Sequence, residues 1–547
     1  MPKRLSPSDP INLDAILDVK VLISVAGRLI GDGVMLTSQE QAIIASNAVE
    51  VSDELVELVR AAILESGDPL GAAFCRIRTP KDRRQFGQTF TPQDAVIGMF
   101  QWAERRCERV SRIVDPGAGT GRYVLTGLRR HPAAIGVAVE ADPLIVVLLR
   151  ANARVLGLHD RLDIIVDDYR NIALPEHDGQ TLFVGNPPYV RHHDISSDWK
   201  EWYSSTLKRL GHASSKLAGL HLHFFLKTLE LAKEGDVGCF ITAAEWLDVK
   251  YGQSLRDLLL NGLGGRAVFV VTPEVPVFDD ALVSACITCF EPKSEAREIE
   301  FKRIDSTADL LQLEGGHLVQ TERALAEVCW TRLLHNRERV RNADHILLGD
   351  VFRVSRGQVT GKNEVFVVKD NAFRLPDEFL VPAITGAKEI INAPAAKIDA
   401  QVPLLSVVQL PASLDEVPAK DRSAVAAFLR WARKNDAHKS YIAKARRPWW
   451  RVDMSATPPI VMTYMGRRPP VFALNTARAG LINVAHGLYP KVALDEQTLE
   501  NLVTWLNCNI TEESGRVYAG GLTKFEPSEV MRLEIPNLHD LQGRGRD

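Results

Sequence analysis

The sequence predicts an α/β protein built on a doubly wound, Rossmann-like sheet, with a helical region before the sheet and a separate mixed α+β domain after it. Two observations predict this fold class. Four short apolar runs before residue 190 alternate with helical patterns, which is typical of parallel strands that are buried on both faces. Each run is followed by glycine, acidic or amide residues, and open α/β sheets bind ligands at the carboxyl ends of their strands.

The chain of 547 residues is long enough for about three or four domain-sized units. Helical periodicity predicts a helical N-terminal region over residues 1–83, in which we identify no chemistry. We expect the sheet domain over residues 84–300 and a charged helical connector over residues 301–345. A second domain is expected over residues 346–547, where glycine, proline and tryptophan become more frequent.

Composition excludes several classes of protein. No uninterrupted apolar stretch of roughly 18 residues and no apolar signal segment occurs, so we expect a cytoplasmic protein without a membrane span. The net charge of −3 gives no indication of a nucleic-acid partner for the whole chain. Seven scattered cysteines favour reduced thiols. Cys286 and Cys289 form a C-x-x-C pair, but they lie in an apolar run that predicts a buried strand, so no metal site is expected.

Thr91 and Pro92 have the pattern of a helix start. A hydroxyl cap followed by proline at the first helical position is favoured at helix N-termini. The free backbone amides at such a start, together with the Thr91 hydroxyl, would suit the carboxylate of a ligand. A capped helix without a ligand is the alternative.

A glycine-rich turn follows the first apolar run and begins at Asp115. Gly117, Gly119 and Gly121 stand at alternate positions, which allows the backbone to turn tightly and to approach a ligand closely. The turn matches neither the dinucleotide-binding fingerprint nor a phosphate-binding loop. Glu140 ends the second apolar run and is placed to accept from both hydroxyls of a ribose.

The third apolar run ends in two acids, Asp167 and Asp168. Either carboxylate could accept a hydrogen bond from the amino group of an adenine ring. For any single acid a solvated strand end is the simpler interpretation. The ordered set, which includes Glu140 and the glycine-rich turn, favours a ligand site.

The fourth apolar run stops at Asn186-Pro187-Pro188-Tyr189. Proline cannot donate to a sheet, and it disfavours helical conformation in the residue before it, so this turn holds an amide, a carbonyl and an aromatic ring at the end of a strand. An exocyclic amino group on a planar ring is a poor nucleophile, and two acceptors on its hydrogens would direct its lone pair outward. Asn186 Oδ1 and the Pro187 carbonyl are the candidate acceptors, and Tyr189 is the candidate for stacking on the ring.

Basic and aromatic residues interleave between residues 430 and 478, in the predicted second domain. Clustered cations neutralise phosphates, and arginine can read guanine edges in the major groove of DNA. A solvated basic face is the alternative. The candidate DNA contacts are Arg446, Arg447, Trp449, Arg467, Arg468 and, in a second basic loop, Lys524.

The order of these motifs resembles that of the gamma class of N6-adenine DNA methyltransferases from bacterial type II restriction–modification systems. That class carries an F-x-T-P-type segment, a D-P-x-x-G-x-G loop, an acid after the second strand, N-P-P-Y and a C-terminal target-recognition domain. The matching residues are 90–92 (one residue tighter than the class spacing), 115–121, Glu140 and 186–189. The resemblance covers residues 84–292 by motif and the remainder only by layout.

The resemblance implies transfer of a methyl group from S-adenosylmethionine to the N6 amino group of an adenine that is flipped out of double-stranded DNA. Phe278 would stack on the flipped base together with Tyr189, and no metal would be needed. A cognate restriction endonuclease would be a functional and not a physical partner, and we expect a monomer. The residues that would bind the cofactor are Thr91, Asp115, Gly117, Gly119, Gly121, Glu140 and Asp168, with Asp167 as the rival of Asp168.

Other functions remain open from the sequence. N-P-P-Y also occurs in methyltransferases that act on a protein glutamine amide, although the basic C-terminal region argues against these. The chain could instead be the modification subunit of a multi-subunit restriction complex, with its C-terminal region as a docking arm. N4-cytosine methylation, for which serine in place of Asn186 is commoner, and an inactive DNA-binding or scaffold protein are further alternatives.

Overall fold

The computed structural model describes residues 15–78, 91–212, 214–272, 275, 284–334, 344–454, 456–518 and 522–543. The chain divides into two compact units, Met1–Asn336 and Arg337–Asp547. Phe90 and Phe278, two aromatic residues of the predicted motifs, lie outside the described residues. Among the helices that are described, none combines the length and the apolar character needed to cross a membrane.

The described N-terminal residues form helices that pack onto the sheet domain. These helices are α1 (Val19–Ile30), α2 (Ser38–Ser46), α3 (Asp53–Leu64) and α4 (Pro69–Ile77). A side chain caps the first turn of each, and Thr37 forms a reciprocal capping box with Glu40 at the start of α2. Their apolar faces share one core cluster with Ile145, Leu148 and Ala151 of the helix at Pro143–Val155. The N-terminal helices therefore share a hydrophobic core with the domain that carries the site.

A nine-stranded sheet, counted over the described residues, forms the centre of the first unit. Its strands are β1 (Val110–Pro116), β2 (Ile135–Val139), β3 (Leu162–Ile165), β4 (Gln180–Gly185), β5 (Val237–Ala243), β6 (Gly265–Val271), β7 (Ala285–Phe290), β8 (Glu298–Ile304) and β9 (His317–Gln320). The order is β3-β2-β1-β4-β5-β7-β6-β8-β9, with β1 to β5 parallel and β7 antiparallel to both neighbours. The strand order reverses between β1 and β4, and such a switch point is where open α/β sheets bind ligands.

Helices cover both faces of this sheet, which confirms the predicted fold class. They are α5 (Gln93–Glu104), α6 (Arg122–Arg130), α7 (Pro143–Val155), α8 (Ser197–Arg209), α9 (Leu220–Leu231), α10 (Gln253–Asn261), α11 (Thr307–Leu310) and α12 (Thr321–Ala326). Ile113 of β1 belongs to the core on one face and Val114 to the core on the other. Successive side chains of a strand point to opposite faces, so a strand covered on both sides is apolar throughout.

The helical connector predicted over residues 301–345 is wrong in its first part. β8 lies parallel to β6, and β9 lies antiparallel to β8, so these residues extend the sheet. Ile299, Phe301 and Ile304 of β8 are buried, and the charged residues between them are more exposed. Ile299 and Phe301 belong to the core on one face of the sheet, as the two-residue period of a strand requires, and Ile304 belongs to the core on the other face. Considered without the structure, the frequent charged residues of this segment favour a solvated helix, and this is why a helix was predicted.

Small sheets and short helices make up the second unit, as the predicted mixed α+β class requires. Its described strands are β10 (His345–Leu347), β11 (Phe352–Arg356), β12 (Val367–Val368), β13 (Leu380–Ile384), β14 (Lys397–Ile398), β15 (Leu405–Val408), β16 (Ile460–Thr463), β17 (Met465–Gly466), β18 (Phe472–Asn475), β19 (Gly480–Leu481), β20 (Ala485–Pro490), β21 (Arg516–Tyr518), β22 (Leu522–Lys524) and β23 (Glu534–Pro536). Its described helices are α13 (Leu348–Val351), α14 (Asn363–Phe366), α15 (Ala387–Ile391), α16 (Arg422–Lys434), α17 (Tyr441–Ala445), α18 (Glu496–Asn509), α19 (Pro527–Val530) and α20 (Leu538–Gly543). β16 is central in a sheet of order β11-β20-β16-β18-β14, and β17 lies at the edge of a small sheet of order β17-β22-β21.

Candidate active site

A cavity of about 480 Å³ lies at the carboxyl ends of the parallel strands. Residues that directly follow β1, β2, β3 and β4 line it, which is the position expected for a ligand site at the switch point. Many of the predicted site residues are in this lining. They are Thr91, Gly117, Gly119, Glu140, Asp167, Asp168, Asn186 and Pro188.

The glycine-rich turn after β1 faces the Asn-Pro-Pro turn after β4. The backbone amides of Gly117 and Ala118 both donate to the Val139 carbonyl, at 2.8 and 2.9 Å, which fixes the turn on the end of β2. Gly117 has a φ of +89°, and a Cβ at this position would lie 3.4 Å from Pro188 Cδ. The positive φ therefore favours glycine here, and the two turns lie close enough for a Cβ to come into van der Waals contact with Pro188.

Glu140 lies at the end of β2 with its carboxylate in the cavity wall. Its two oxygens accept from the backbone amides of Gly119 and Asp142, each at 2.9 Å. Burial raises the pKa of the Glu140 carboxyl to about 6, while these two hydrogen bonds oppose the rise. A carboxylate that is fixed by two amides keeps further lone pairs for ligand hydroxyls.

Asp115 is completely buried beneath the turn. Its Oδ2 accepts from the Val124 amide at 3.1 Å, near the start of α6, and its Oδ1 has no hydrogen-bond partner among the described residues. Burial raises the pKa of the Asp115 carboxyl to about 8. A Cβ on Gly185 would lie 2.9 Å from Oδ1, so Asp115 packs directly against the end of β4.

The two acids after β3 have different surroundings. Both oxygens of Asp168 accept from the Arg170 guanidinium, at 2.9 and 2.6 Å, and Oδ1 also accepts from the Arg170 amide. The same guanidinium lies 4.1 Å from the centre of the Trp199 ring. Asp167 is exposed, and its Oδ1 accepts from the Asp168 amide and from Asn171 Nδ2. Both acids line the cavity, so the choice between them as the adenine contact stays a prediction.

Thr91 is buried, and its hydroxyl binds the side chain of Asn186. The Thr91 oxygen accepts from Asn186 Nδ2 at 3.2 Å and from the Tyr123 hydroxyl at 3.0 Å. Pro92 is the N-cap of α5, and no side chain caps that helix. The predicted helix is present but begins at Gln93, one residue later than predicted. The predicted cap role of Thr91 is wrong, because its hydroxyl accepts from these two donors instead.

The remaining residues of the Asn-Pro-Pro-Tyr turn are held at the end of the sheet. Pro187 is buried, and Pro188 lies against the glycine-rich turn. The Tyr189 ring is partly buried, its hydroxyl donates to the Ile241 carbonyl of β5 at 3.4 Å, and its centre lies 5.9 Å from the His221 ring. Tyr189 is thus anchored at both its hydroxyl and its ring.

Several residues of the site were not identified from the sequence. Phe224 of α9 lines the cavity, its ring centre lies 5.0 Å from that of Tyr169, and it also belongs to the core on that face of the sheet. Arg170 and Trp199 form one wall, and Asp68 of the N-terminal region bonds to the glycine-rich turn. An Asp-Pro pair predicts a helix cap at Asp68, but no local pattern indicates its contacts with residues more than fifty positions away.

The predicted DNA contacts of the second unit differ in exposure. Arg447, Arg467 and Arg468 are exposed, and the last two directly follow β17. Arg446 is partly buried and donates to the carbonyls of Val359 and Thr360.

The other two predicted contacts are engaged within the unit. Trp449 is partly buried and packs 5.7 Å from Trp450, and Lys524 pairs with Glu526 at 2.6 Å. Tyr441, whose surface is 85% exposed, has the exposure expected of a stacking residue. The exposed arginines and Tyr441 are therefore the strongest candidates for DNA contact.

The cavity fits the methyl donor that the motifs imply. An adenosine with a charged amino-acid tail needs acceptors for its ribose hydroxyls and its amino groups, and Glu140, Asp167, Asp168 and Asp194 supply carboxylates in the cavity wall. A Cβ at Gly117 would narrow the space between the glycine-rich turn and Pro188. Among the described residues, no group of histidine, cysteine and acidic side chains is arranged to hold a metal ion.

Comparison with known proteins gives matches over both units. The family model of the Eco57I restriction-modification methylase matches residues 167–267, and that of the C-terminal domain of type II methyltransferase M.Eco57I matches residues 330–545. The type II methyltransferase M.XamI of Xanthomonas campestris pv. amaranthicola is 47% identical over 87% of this chain and 88% of its own. M.AccI of Acinetobacter calcoaceticus is 23% identical over 82% of this chain and 85% of its own.

One solved structure, the type IIL restriction-modification enzyme MmeI in complex with DNA, matches 96% of this chain and 80% of its own with a TM-score of 0.57. At 12% identity, this likeness shows a shared fold. Fold and cavity together define an S-adenosylmethionine-dependent methyltransferase. Since its identity to M.XamI extends over most of both chains, the protein belongs to the type II methyltransferases of restriction–modification systems.

Proposed function

We propose that this protein methylates the N6 amino group of an adenine within one specific sequence of double-stranded DNA. The observation that carries the proposal is the position of Asn186, whose side chain is held by Thr91 at the end of β4, beside the cofactor cavity. Because Thr91 holds Nδ2, the amide oxygen is at the opposite end of the group. An acceptor in this place suits the hydrogens of an exocyclic amine.

The chemistry assigned to the chain is orientation of the amine. The lone pair of an adenine amino group is delocalised into the ring, so the amine is a weak nucleophile. Asn186 Oδ1 and the Pro187 carbonyl accept its two hydrogens, which localises the lone pair and directs it toward the cofactor cavity. S-adenosylmethionine supplies an electrophilic methyl group when bound. Positioning of this kind accounts for a large part of the rate enhancement in such reactions.

The target base has to leave the duplex, since its amino group is unreachable within the stack. Tyr189, anchored on β5 and against His221, is proposed to stack on the flipped ring. Phe278, which lies outside the described residues, is proposed as the second stacking residue. Backbone contacts to DNA are assigned to the exposed arginines of the second unit, and these hold the duplex without specifying its sequence.

Cofactor contacts are proposed for the residues at the strand ends. Glu140 takes the ribose hydroxyls, and Asp168 or Asp167 takes the adenine of the cofactor. Gly117 and Gly119 provide the close backbone approach, and Gly121 shapes the same turn where it packs against Leu149. Asp115 supports the turn from below. Thr91 is proposed to orient Asn186 and also to contact the cofactor, because it lines the cavity.

In its biological setting, the modified sequence would be protected from a cognate restriction endonuclease, with the protein acting as a single chain. The match of residues 330–545 to a type II methyltransferase C-terminal domain supports a specificity domain on the same chain. This favours the proposal over a modification subunit that takes its specificity from another chain. It also favours DNA over a protein glutamine as the methyl acceptor.

Expression of the wild-type chain alone in a host that lacks adenine methylation tests the proposal. Sequencing with modified-base detection is expected to find 6-methyladenine in one short motif, and Asn186→Ala is expected to abolish it. DNA that stays unmodified in the presence of folded, cofactor-binding wild-type protein would contradict the proposal and favour the subunit or the protein-substrate alternative.

A further inference from the structure

Asp68 is the N-cap of α4, the last described helix of the N-terminal region. Its Oδ1 accepts from the Gly71 amide at 2.9 Å, which is the ordinary role of a capping carboxylate. Its Oδ2 accepts from the Thr120 hydroxyl at 2.6 Å and from Arg122 Nε at 2.8 Å. The carboxylate is only 11% exposed. One side chain therefore joins the N-terminal helices to both neighbours of Gly121 in the glycine-rich turn.

Further hydrogen bonds connect these residues to Asn186, the proposed catalytic residue in the cavity lining. Arg122 Nη1 donates to the Thr91 carbonyl at 2.6 Å, and the Thr91 hydroxyl holds Asn186 Nδ2. Thr91, Thr120 and Arg122 all line the cavity. A continuous set of hydrogen bonds thus runs from Asp68 through Arg122 and Thr91 to Asn186.

The surrounding helices hold the Asp68 carboxylate in position. Leu70, two residues further along α4, is fully buried in the cluster that includes Ile145 of α7. Asn152, also on α7, donates to the Thr120 carbonyl at 3.0 Å and lies 3.4 Å from Asp68 Oδ1. Since the N-terminal helices share one core with α7 and Asn152 of α7 lies beside Asp68, the carboxylate is held in position before any ligand arrives, and preorganised groups of this kind reduce the cost of binding.

We infer that Asp68 is a positioning residue of the cofactor site, through which the N-terminal helical region sets the shape of the glycine-rich turn. Without its carboxylate, the Thr120 hydroxyl and the Arg122 guanidinium lose their common acceptor. The position of the glycine-rich turn relative to the Thr91 backbone is then less tightly fixed. The effect on the turn rests on the contacts of Asp68 alone. The extension to Asn186 and to methyl transfer rests on the proposed function.

Asp68→Asn is the direct test, because asparagine caps helices as well as aspartate does and so leaves the start of α4 intact. It replaces two anionic acceptors by one neutral acceptor. Losing charge-assisted hydrogen bonds is expected to raise the dissociation constants of S-adenosylmethionine and of its product S-adenosylhomocysteine about tenfold or more. Calorimetric titration of the full-length variant, well below its melting temperature, measures both constants without turnover.

Asp18→Asn is the matched control. Asp18 caps α1 in the same region through the Val21 amide, and its hydrogen bond is exposed. The same substitution there is expected to leave both dissociation constants within about twofold of wild type, since surface changes of this kind have small effects. Affinity of Asp68→Asn for DNA in the absence of cofactor is also expected to match wild type.

Thr120→Val tests the same contact from the side of the turn and keeps the inference testable if Asp68→Asn fails to fold. It removes the hydroxyl that donates to Asp68 Oδ2 and conserves volume. A rise in both dissociation constants of about threefold to tenfold is expected. In the double variant the two effects should be less than additive, because they remove one shared contact.

Cofactor affinities equal to wild type in folded Asp68→Asn or Thr120→Val would overturn the inference, and so would an equal loss in Asp18→Asn. These outcomes are separate from the test of the proposed function. Weakened cofactor binding in a chain that methylates no adenine would leave the role of Asp68 in place and refute the proposed acceptor. Adenine methylation together with unchanged cofactor affinity in the Asp68 and Thr120 variants would support the proposed acceptor and refute the role of Asp68.

Discussion

At the scale of single residues, the site depends on side chains whose hydrogen bonds are made within the protein. Thr91 accepts from both Asn186 and Tyr123, and Tyr123 stays a neutral donor because burial raises the pKa of its hydroxyl. An amide held in this way loses little rotamer freedom when a base arrives, which reduces the cost of forming the reactive geometry.

Glu140, the proposed ribose contact, is expected to make cofactor binding depend on pH. Burial raises its carboxyl pKa to about 6, and a ribose diol would donate to the ionised form. Protonation would compete with binding, so affinity is expected to be full from about one pH unit above this pKa and to fall by up to about tenfold per unit below it. Titration of S-adenosylhomocysteine between pH 4.5 and 7 measures this. Glu140→Gln should bind more weakly and without that slope, and an equal slope in the variant would exclude Glu140 as its source.

At the scale of elements, two turns define the site: the glycine-rich turn after β1 and the proline turn after β4. Both are marked by local sequence, since glycine permits backbone conformations that other residues avoid and proline fixes φ. The strands that carry them were predicted because a strand buried on both faces is apolar throughout. By contrast, β8 carries charges between its buried residues, and its strand character depends on pairing with β6. That pairing cannot be seen in a local window.

Gly117→Ala tests the close approach of the two turns. Alanine at a φ of +89° costs about 1–2 kcal/mol of unfolding free energy, and its Cβ would lie 3.4 Å from Pro188 Cδ at the cavity wall. We expect lower thermal stability together with weaker S-adenosylmethionine binding, measured by calorimetry.

Gly157→Ala is the control for this substitution. Gly157 has a φ of +67°, and a Cβ there would have nothing within 4 Å. The loss of stability should be similar, while cofactor affinity should stay that of wild type. Equal affinities in the two variants would mean that the contact between the turns does not shape the site.

At the scale of the whole molecule, sequence and structure differ most in long-range contacts. The motif order predicted the sheet, the turns and the residues at the strand ends. Asp68 was not identified, because its partners Thr120 and Arg122 are remote in sequence and meet it only in the folded chain, where the N-terminal helices share a core with α7. The sequence also does not predict that Arg467 is exposed while Arg446 donates hydrogen bonds within its own unit. Nearby positions in one basic segment look alike in sequence.

Arg467 and Arg468 are expected to bind DNA phosphates. Replacing both by alanine should weaken DNA binding across sequences and reduce the slope of log affinity against log salt by about two, one for each lost contact. Lys420→Ala, at an exposed position in the same unit, is the control for lost charge. Fluorescence anisotropy with a labelled duplex at several salt concentrations measures the slope. A slope unchanged by the double substitution would remove these arginines from the interface.

The amino group that is methylated is proposed to be N6 of adenine, oriented by Asn186. The most direct measurement incubates purified protein and duplex DNA with S-adenosylmethionine that carries an isotopic methyl label, then separates the nucleosides by chromatography with mass detection. The label is expected in N6-methyl-2′-deoxyadenosine from wild type and in no nucleoside from Asn186→Ala. Label in N4-methyl-2′-deoxycytidine, or equal labelling of deoxyadenosine by Asn186→Ala, would contradict the proposed acceptor.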